Sequence, residues 1–276
     1  AGQALLVKVA AQDIVGNTDT SFTGAVTLAL KSNGRGGATL FGTTTINAVA
    51  GVADFTGSGL NIEKVGAGYV LLASADDLAE AESAAFDILP AAATKLVFTL
   101  APANTPADAM ITLAIEAQDD FGNIDTNFSG AVSLSLKPNP SGGALGGATS
   151  ANMANGFISF GPASSLAIDR VGQSYVMHAV SGTLSGDSQT FNITANRLAF
   201  FAEPADSQVG HALAPHPVVH AVDRFGGIDT TFSGAIALAI KPGTGANGAA
   251  LRGTVARLAS AGTASFGSVS IDRIGS

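Results

Sequence analysis

Three short stretches of the sequence carry aspartate and asparagine at close spacing, and these are the residues best suited to bind a metal ion. Carboxylate and amide oxygens two to four residues apart on a turn are ligands that calcium accepts. The candidate ligands are Asp13, Asn17 and Asp19 in loop 1 (residues 13–19), Asp119, Asp120, Asn123 and Asp125 in loop 2 (119–125), and Asp223 and Asp229 in loop 3 (223–229). The spacing is not that of an EF-hand, which needs alternating oxygen ligands closed by a glutamate.

The same side chains also have a purely structural explanation. Aspartate and asparagine accept hydrogen bonds from nearby backbone N–H groups and therefore favour turns. Gly16, Gly122 and Gly226 stand in the three loops and supply a residue that tolerates positive φ. We favour a turn over a calcium site, and a melting temperature that does not depend on calcium would support the turn.

The remaining polar residues form no recognisable catalytic arrangement. His211, His216 and His220 occur only in the third repeat. His216 and His220 could bind zinc together, but no third ligand is visible beside them, and we expect these histidines to face solvent. No histidine recurs near the abundant serines and aspartates, and no Gly-x-Ser-x-Gly links a strand to a helix. The sequence has no cysteine, which removes cysteine nucleophiles and thiolate metal sites. We therefore expect neither enzymatic activity nor a cofactor.

The three loops belong to a longer internal repeat. The repeated segments around them are residues 12–26, 118–132 and 222–236. A second marker is an acidic residue, a basic residue and a branched aliphatic residue, at corner 1 (63–65), corner 2 (169–171) and corner 3 (272–274). Asp13 and Asp119 are 106 residues apart, and Asp223 follows 104 residues later, so the period has the size of a domain. We expect the charged pairs of the corners to be solvated and to contribute little stability.

Hydrophobic residues within the repeat alternate with period two. Val132, Leu134 and Leu136 alternate with Ser133 and Ser135, as in a strand with one face on a core. For the middle repeat we predict seven strands, at about residues 95–100, 110–117, 131–137, 147–154, 156–168 with a break, 174–180 and 188–193. This pattern predicts an all-β fold of tandem seven-stranded Greek-key immunoglobulin-like β-sandwiches.

The only two tyrosines occupy equivalent places in the repeat. Tyr69 and Tyr175 each follow a glycine-containing turn and open the sixth predicted strand. Immunoglobulin-like sandwiches place a tyrosine there whose hydroxyl bonds to the backbone of the corner. We therefore predict a structural role for both.

Several of these segments resemble a known family. Residues 93–98, the Asp-x-x-Gly-Asn loop, and residues 37–45 and 51–55 look like tandem bacterial immunoglobulin-like (Big-type) repeats of large secreted surface and adhesin-like proteins. The resemblance covers essentially the whole chain and implies a sandwich fold at the bacterial cell surface or outside the cell. The third repeat departs from it, with Gly227 where the others have Asn17 and Asn123.

The repeat divides the chain into three expected domains. They are residues 1–91, which lack the first strand, residues 92–195, which are complete, and residues 196–276, which lack the last strands. We expect the two terminal domains to be incomplete because the sequence is a piece of a longer chain. The alternative is that neighbouring subunits donate the missing strands. The linkers between domains are short, and Pro90 stiffens the first, so we expect a semi-rigid, rod-like arrangement.

Composition and charge narrow the function further. The net charge of −8 argues against nucleic acid as a partner, and no apolar run reaches the ~18 residues of a membrane span. We predict a structural or adhesive extracellular protein: an adhesin stalk, a surface-layer protein or a filament subunit. The alternatives are a ligand- or glycan-binding module and a non-catalytic appendage of an extracellular enzyme.

Its expected partners follow from the faces of the sheets. The outward residues that we predict there are small, namely Ala114, Ser133, Ser135, Ala237 and Ala239. Isolated sandwiches usually protect such faces with charged residues. We therefore expect copies of the chain or neighbouring repeats to cover them, with a host or surface glycan or protein receptor as a further partner.

Overall fold

The computed structural model describes residues 1–31 and 37–274. These residues form 29 β-strands, one short 3-10 turn and no α-helix. The fold is therefore all-β, as the sequence predicts. Its buried residues are mainly aliphatic and aromatic side chains contributed by strands, which is consistent with a β-sandwich.

The strands are short throughout. Up to residue 91 they are β1 (Lys8–Ala10), β2 (Ala25–Leu30), β3 (Leu40–Phe41), β4 (Thr45–Asn47), β5 (Val52–Asp54), β6 (Asn61–Ile62), β7 (Gly66–Tyr69), β8 (Leu71–Ala75), β9 (Ala81–Glu82) and β10 (Phe86–Ile88). From residue 92 to 195 they are β11 (Lys95–Leu100), β12 (Thr105–Pro106), β13 (Leu113–Gln118), β14 (Ala131–Leu136), β15 (Leu145–Gly146), β16 (Ser150–Asn152), β17 (Phe157–Phe160), β18 (Ala167–Ile168), β19 (Gly172–Tyr175), β20 (Met177–Ser181), β21 (Leu184–Asp187) and β22 (Phe191–Thr194). The remaining strands are β23 (Arg197–Ala202), β24 (Val218–Val222), β25 (Ala235–Ala237), β26 (Leu251–Arg252), β27 (Ala256–Leu258), β28 (Thr263–Ser265) and β29 (Ser270–Ile271).

The chain forms two compact units. Unit 1 contains Ala1–Leu96, Glu116–Gly130 and Met153–Phe157, and unit 2 contains Val97–Ile115, Ala131–Asn152 and the chain from Ile158 onward. Unit 1 contains a four-stranded sheet of order β4–β2–β8–β9. Unit 2 contains a four-stranded sheet of corresponding order, β16–β14–β20–β21, and three-stranded sheets of order β12–β22–β19 and β23–β24–β28.

Each unit has its own apolar core. In unit 1 one buried cluster is Val26, Leu28, Ala48, Ala53, Phe55, Leu60 and Ala73. In unit 2 one buried cluster is Val219, Ile236, Ala259, Ala264, Phe266 and Val269. Along β14, Val132 and Leu134 are buried while Ser133 is exposed, so the alternation read from the sequence does separate a core face from a solvent face.

The predicted strand bounds hold in part. The strand predicted at 131–137 is β14, and the break predicted within 156–168 is the 3-10 turn Pro162–Ser164, which lies between β17 and β18. Pro162 has no backbone N–H to donate to a ladder, which explains the interruption. The prediction also missed β21, whose four residues pair with β20.

Ala114 is a correction to the expected solvent faces. It is buried, as are its neighbours Leu113 and Ile115. Consecutive buried residues mean that both faces of the strand are covered, and β13 is the central strand of the sheet β11–β13–β17. Ser133, Ser135, Ala237 and Ala239 are exposed as expected.

Candidate functional site

Each acidic loop is closed by its first aspartate. In loop 3, Oδ1 of Asp223 accepts the backbone N–H groups of Phe225 at 2.8 Å and Gly227 at 2.9 Å. Asp13 and Asp119 accept the equivalent pairs of N–H groups in loops 1 and 2 at 2.8–3.0 Å. The aspartate thus supplies the acceptor that the turn needs, because these N–H groups have no strand partner.

The second aspartate of each loop likewise accepts a backbone N–H group, that of the residue two positions later in the following turn. Oδ1 of Asp125 accepts the N–H of Asn127 at 3.0 Å. Asp19 and Asp229 accept the N–H groups of Ser21 and Thr231, each at 2.9 Å. One oxygen of each carboxylate is therefore committed locally in all three loops.

In loop 2 the remaining acceptor atoms bind the linker that precedes β11. Oδ2 of Asp119 accepts the N–H of Ala91 at 3.2 Å, and Oδ2 of Asp125 accepts the N–H of Ala93 at 3.0 Å. Asp120 adds a bond from the hydroxyl of Thr94 at 2.7 Å. Three residues of this segment, Ala91, Ala93 and Thr94, are therefore bound by carboxylates.

Loop 2 also binds corner 1 through a single side chain. Oδ1 of Asn123 accepts the N–H of Val65 at 3.1 Å, and its Nδ2 donates to the carbonyl of Glu63 at 2.7 Å. An amide can make both bonds because it carries an acceptor and a donor, which a carboxylate does not. We call a loop together with the corner and linker that it binds a joint.

Loop 3 forms the second joint with different atoms. Oδ2 of Asp223 accepts the N–H of Val171 in corner 2 at 2.9 Å, and Oδ2 of Asp229 accepts the N–H of Ala195 at 3.0 Å. Gly227 stands here where loop 2 has Asn123. The first aspartate therefore takes over the corner N–H that the asparagine binds in loop 2.

Charged side chains surround the second joint. The guanidinium of Arg224 pairs with Asp169 of corner 2 and with Asp108, both at 3.0 Å. The guanidinium of Arg170 lies 4.3 Å from the ring centre of Phe225, within cation–π range. The side chain of Asp169 is only 14% exposed, so corner 2 is not the solvated charge pair that the sequence indicated.

Loop 1 has the same turn but no such partner among the described residues. The side chains of Asp119, Asp125, Asp223 and Asp229 are 0%, 8%, 2% and 3% exposed. Asp13, Asn17 and Asp19 are exposed instead, and Ile14 beside them is fully accessible. Asn17 bonds to Asp13 within its own loop at 2.9 Å.

The hydrogen bonds lower the pKa of the loop carboxyls. Burial alone would raise the pKa of Asp119, but bonds from Asn123, Ala91 and Phe121 outweigh it and hold the pKa below the ordinary 3.8. Burial also opposes ionisation of Asp223, whose pKa is nevertheless lowered, chiefly by the N–H of Val171 and the N–H groups of its own turn. Both carboxyls are therefore ionised at neutral pH.

The positions of the nine calcium candidates bear on metal binding. In loops 2 and 3 both oxygens of each terminal aspartate already accept N–H groups, and a cation would have to compete with these donors. Within residues 1–31 and 37–274, no three His, Cys, Asp or Glu side chains are grouped as a metal site requires. His220 stacks on Phe201, with ring centres 4.7 Å apart.

Each tyrosine binds the carbonyl of the peptide group whose N–H is bound by the loop. The hydroxyl of Tyr69 donates to the carbonyl of Lys64 at 2.9 Å, and that of Tyr175 donates to Arg170 at 3.0 Å. The next N–H along the chain belongs to Val65 or Val171, which donates to loop 2 or loop 3. The tyrosine therefore orients the peptide whose N–H the loop binds, and the two bonds polarise each other.

The sequence analysis missed the pairing of corners with loops. The bonds join residues 52 to 60 positions apart, and most of the donors are backbone N–H groups that no side-chain pattern reveals. The sequence did show that the corners and the loops recur with about the same period. Two motifs that repeat with the same period could have been predicted to contact each other.

Comparisons with known proteins do not identify a family. No family model matches the chain, and no curated protein matches it. No helix within the described residues is both long and apolar enough to cross a membrane.

Three solved structures show a low likeness. A glycosyl hydrolase family 2 member from Bacteroides cellulosilyticus matches 61% of this chain at 14% identity with a TM-score of 0.30, and the chain spans only 22% of that protein. Extracellular domains 3–5 of Drosophila OTK match 78% of this chain at 14% identity with a TM-score of 0.28, and the match covers 68% of that protein chain. Domains 4–9 of the surface layer protein SbsC match 91% of this chain at 12% identity with a TM-score of 0.25, and the match covers 38% of that protein chain. Such scores identify neither fold nor function.

Proposed function

We propose that this chain is a rod-like or polymer-forming segment of a structural or adhesive protein of the bacterial surface. It consists of tandem seven-stranded Greek-key immunoglobulin-like β-sandwiches related to Big-type repeats. It works outside the cell, without catalysis, as an adhesin stalk, a surface-layer protein or a filament subunit. Its partners are neighbouring repeats or other molecules of the chain, together with a glycan or protein receptor.

The observation that carries this proposal is the binding of linker backbone by buried carboxylates. Asp119 and Asp125 bind the N–H groups of Ala91 and Ala93, and Asp229 binds that of Ala195. Hydrogen bonds to charged groups are roughly twice as strong as neutral ones. A linker held in this way resists rotation, which a stalk or filament needs and a flexible tether does not.

The exposed small residues of the sheets support the same function. Ser133, Ser135 and Ala237 contribute no charge to the faces of their sheets, and only 12% of all residues are charged. Sheet faces with small, uncharged side chains can be covered closely by a neighbouring subunit, as the proposed assembly requires.

Solution scattering and electron microscopy of the purified chain test the proposal. The wild-type chain should give particles of constant length and a scattering profile without interdomain flexibility. Replacing Asp119 and Asp125 together by Ala should release the linker and add the signature of a hinged chain. Asp54→Ala, which removes an exposed pair with Lys8, is the matched control. A wild-type profile as flexible as that of the double variant would contradict the proposal.

A glycan-binding role is the second candidate, and one observation favours it. The ring of Phe201 is 74% exposed and stacks on His220 with an interplanar angle of 17°. A flat exposed aromatic surface can pack against the apolar face of a sugar ring. Glycan-array binding that Phe201→Ala abolishes and Leu258→Ala retains would support this role, since Leu258 is equally exposed. Equal binding by the two variants would rule it out.

A further inference from the structure

Three stretches of the sequence have the form Asn-x-Ser/Thr, which is the acceptor sequence for N-linked glycosylation. They begin at Asn127, Asn139 and Asn192. Transfer of a glycan to a folded chain requires a side-chain amide that is accessible and free of other hydrogen bonds. It also requires an accessible hydroxyl two residues later. These requirements distinguish the three stretches.

Two of the stretches do not meet the requirements. The one at Asn139 has proline as its middle residue, which excludes it, and its amide makes two bonds to the backbone of Gly143, each of 2.8 Å. Asn192 lies in β22, which pairs with β12 on one side and with β19 on the other. Oδ1 of Asn192 accepts the N–H of Ser174 at 2.9 Å. Neither amide is therefore available in the folded chain.

The third stretch meets both requirements. Asn127 is exposed in the turn that follows loop 2, and Ser129 is exposed between that turn and β14. The backbone N–H of Asn127 donates to Asp125 at 3.0 Å. Neither the amide of Asn127 nor the hydroxyl of Ser129 makes a hydrogen bond to another residue of the described chain. Both groups that define the acceptor sequence are therefore accessible and free.

The other two loops show that the turn does not need this amide. Ser21 and Thr231 occupy the position of Asn127 after loops 1 and 3. Their hydroxyls donate to the second aspartate of the loop, at 2.5 Å to Asp19 and 2.6 Å to Asp229, and thereby add a bond to the turn. Asn127 keeps the backbone bond alone. Its side chain therefore has no structural task in the turn.

We propose that Asn127 is an acceptor site for N-linked glycosylation. The donor is a glycosyl diphosphate carried on a lipid, and a separate transferase catalyses the step. Nδ2 of Asn127 forms a bond to the anomeric carbon of the sugar and loses one proton to the medium. The bond from that carbon to the diphosphate oxygen breaks, and the lipid diphosphate leaves without any oxidation or reduction. The inference rests on the proposed location outside the cell, because such acceptor sites belong to secreted proteins.

Transfer to the folded chain by a purified oligosaccharyltransferase, with a lipid-linked oligosaccharide as the donor, tests the site. Mass spectrometry should show a single glycan, attached to the peptide that contains Asn127. Asn127→Gln and Ser129→Ala should each abolish the modification, whereas Ser129→Thr keeps the hydroxyl and should retain it. Asn192→Gln is the matched control and should leave the glycosylated fraction unchanged. The melting temperature of Asn127→Gln should equal that of the wild-type chain, since its side chain makes no bond.

Specific results would overturn the inference. One is a folded chain that stays unmodified while a reference Asn-x-Thr peptide is glycosylated in the same reaction. Another is a modification that survives Asn127→Gln or disappears with Asn192→Gln. None of these results touches the proposed stalk or filament, which fails if the linker of the first joint is flexible in the scattering experiment.

Discussion

Replacing Asp223 by Asn should break the second joint while leaving loop 3 closed. Oδ1 of Asp223 accepts the two N–H groups of its own turn, and Oδ2 accepts the N–H of Val171 at 2.9 Å. An asparagine can keep its oxygen on the turn side. Its NH₂ group then faces the N–H of Val171, so that two donors meet where a donor met a carboxylate.

The expected effect follows from burial and charge. The side chain is 2% exposed, so water cannot replace the lost acceptor. A hydrogen bond to a charged group contributes about 1.5–3 kcal/mol, and a buried donor without a partner costs about 1–3 kcal/mol. Because these two figures describe the same lost bond, we expect about 2–3 kcal/mol in all. This corresponds to roughly a 30- to 150-fold change in the local opening equilibrium.

Hydrogen exchange of the Val171 amide measures this opening directly. Exchange in Asp223→Asn should be faster by roughly that factor, with a lower melting temperature for unit 2. Asp13→Asn makes the same chemical change in loop 1, where no described corner lies against the aspartate, and should leave Val171 unaffected. If the Val171 amide exchanged equally fast in wild type and Asp223→Asn, the carboxylate would not be what holds corner 2.

Four further predictions concern the same loops and corners. Tyr175→Phe should lower the free energy of unfolding by about 1–2 kcal/mol in urea titrations, since a buried corner carbonyl loses its donor. Adding calcium or a chelator should leave the melting temperature unchanged. Gly156→Ala should destabilise by more than about 2 kcal/mol, because φ is +72° and a Cβ would overlap the carbonyl of Asp125, whereas Gly161→Ala meets nothing. Stability should fall as the pH drops below about 4, the ordinary pKa of an aspartate in the unfolded chain, and should go on falling until the lowered pKa of Asp119 in the folded chain is passed; Asp119→Asn should flatten that fall in a pH series of melting temperatures.

The all-β class could be predicted because period two is a local property. The alternation at β14 is visible in six consecutive residues and matches their burial. Local patterns fail where tertiary surroundings decide. Ala114 alternates with Leu113 and Ile115 and shares its strand face with Thr112 and Glu116, as an outward residue would. Both faces of β13 are nevertheless covered there.

The joints could be predicted only in part. The sequence identified the residues of the loops but assigned the carboxylates to their own turns or to calcium. The structure gives each buried aspartate two tasks, one oxygen for the turn and one for a distant backbone N–H. Such a partner has no residue type of its own, since an Ala91 or Ala195 whose N–H donates looks like any other alanine.

The difference between loops 2 and 3 shows how one contact survives a change of residue. Gly227 departs from the asparagine of the other loops, and alone it would remove the group that binds the corner. A Cβ at Gly227, however, would lie only 2.5 Å from Oδ2 of Asp223, closer than real Cβ contacts. A residue with a Cβ at this position would force the carboxylate to move from the place where it binds Val171. The N–H of a corner is therefore bound in two ways: by the first aspartate of the loop when glycine is at this position, as in loop 3, or by asparagine at this position, as in loop 2. Gly227→Asn should displace the carboxylate of Asp223 from corner 2. The second joint would then persist only if the new amide makes the two corner bonds that Asn123 makes in loop 2.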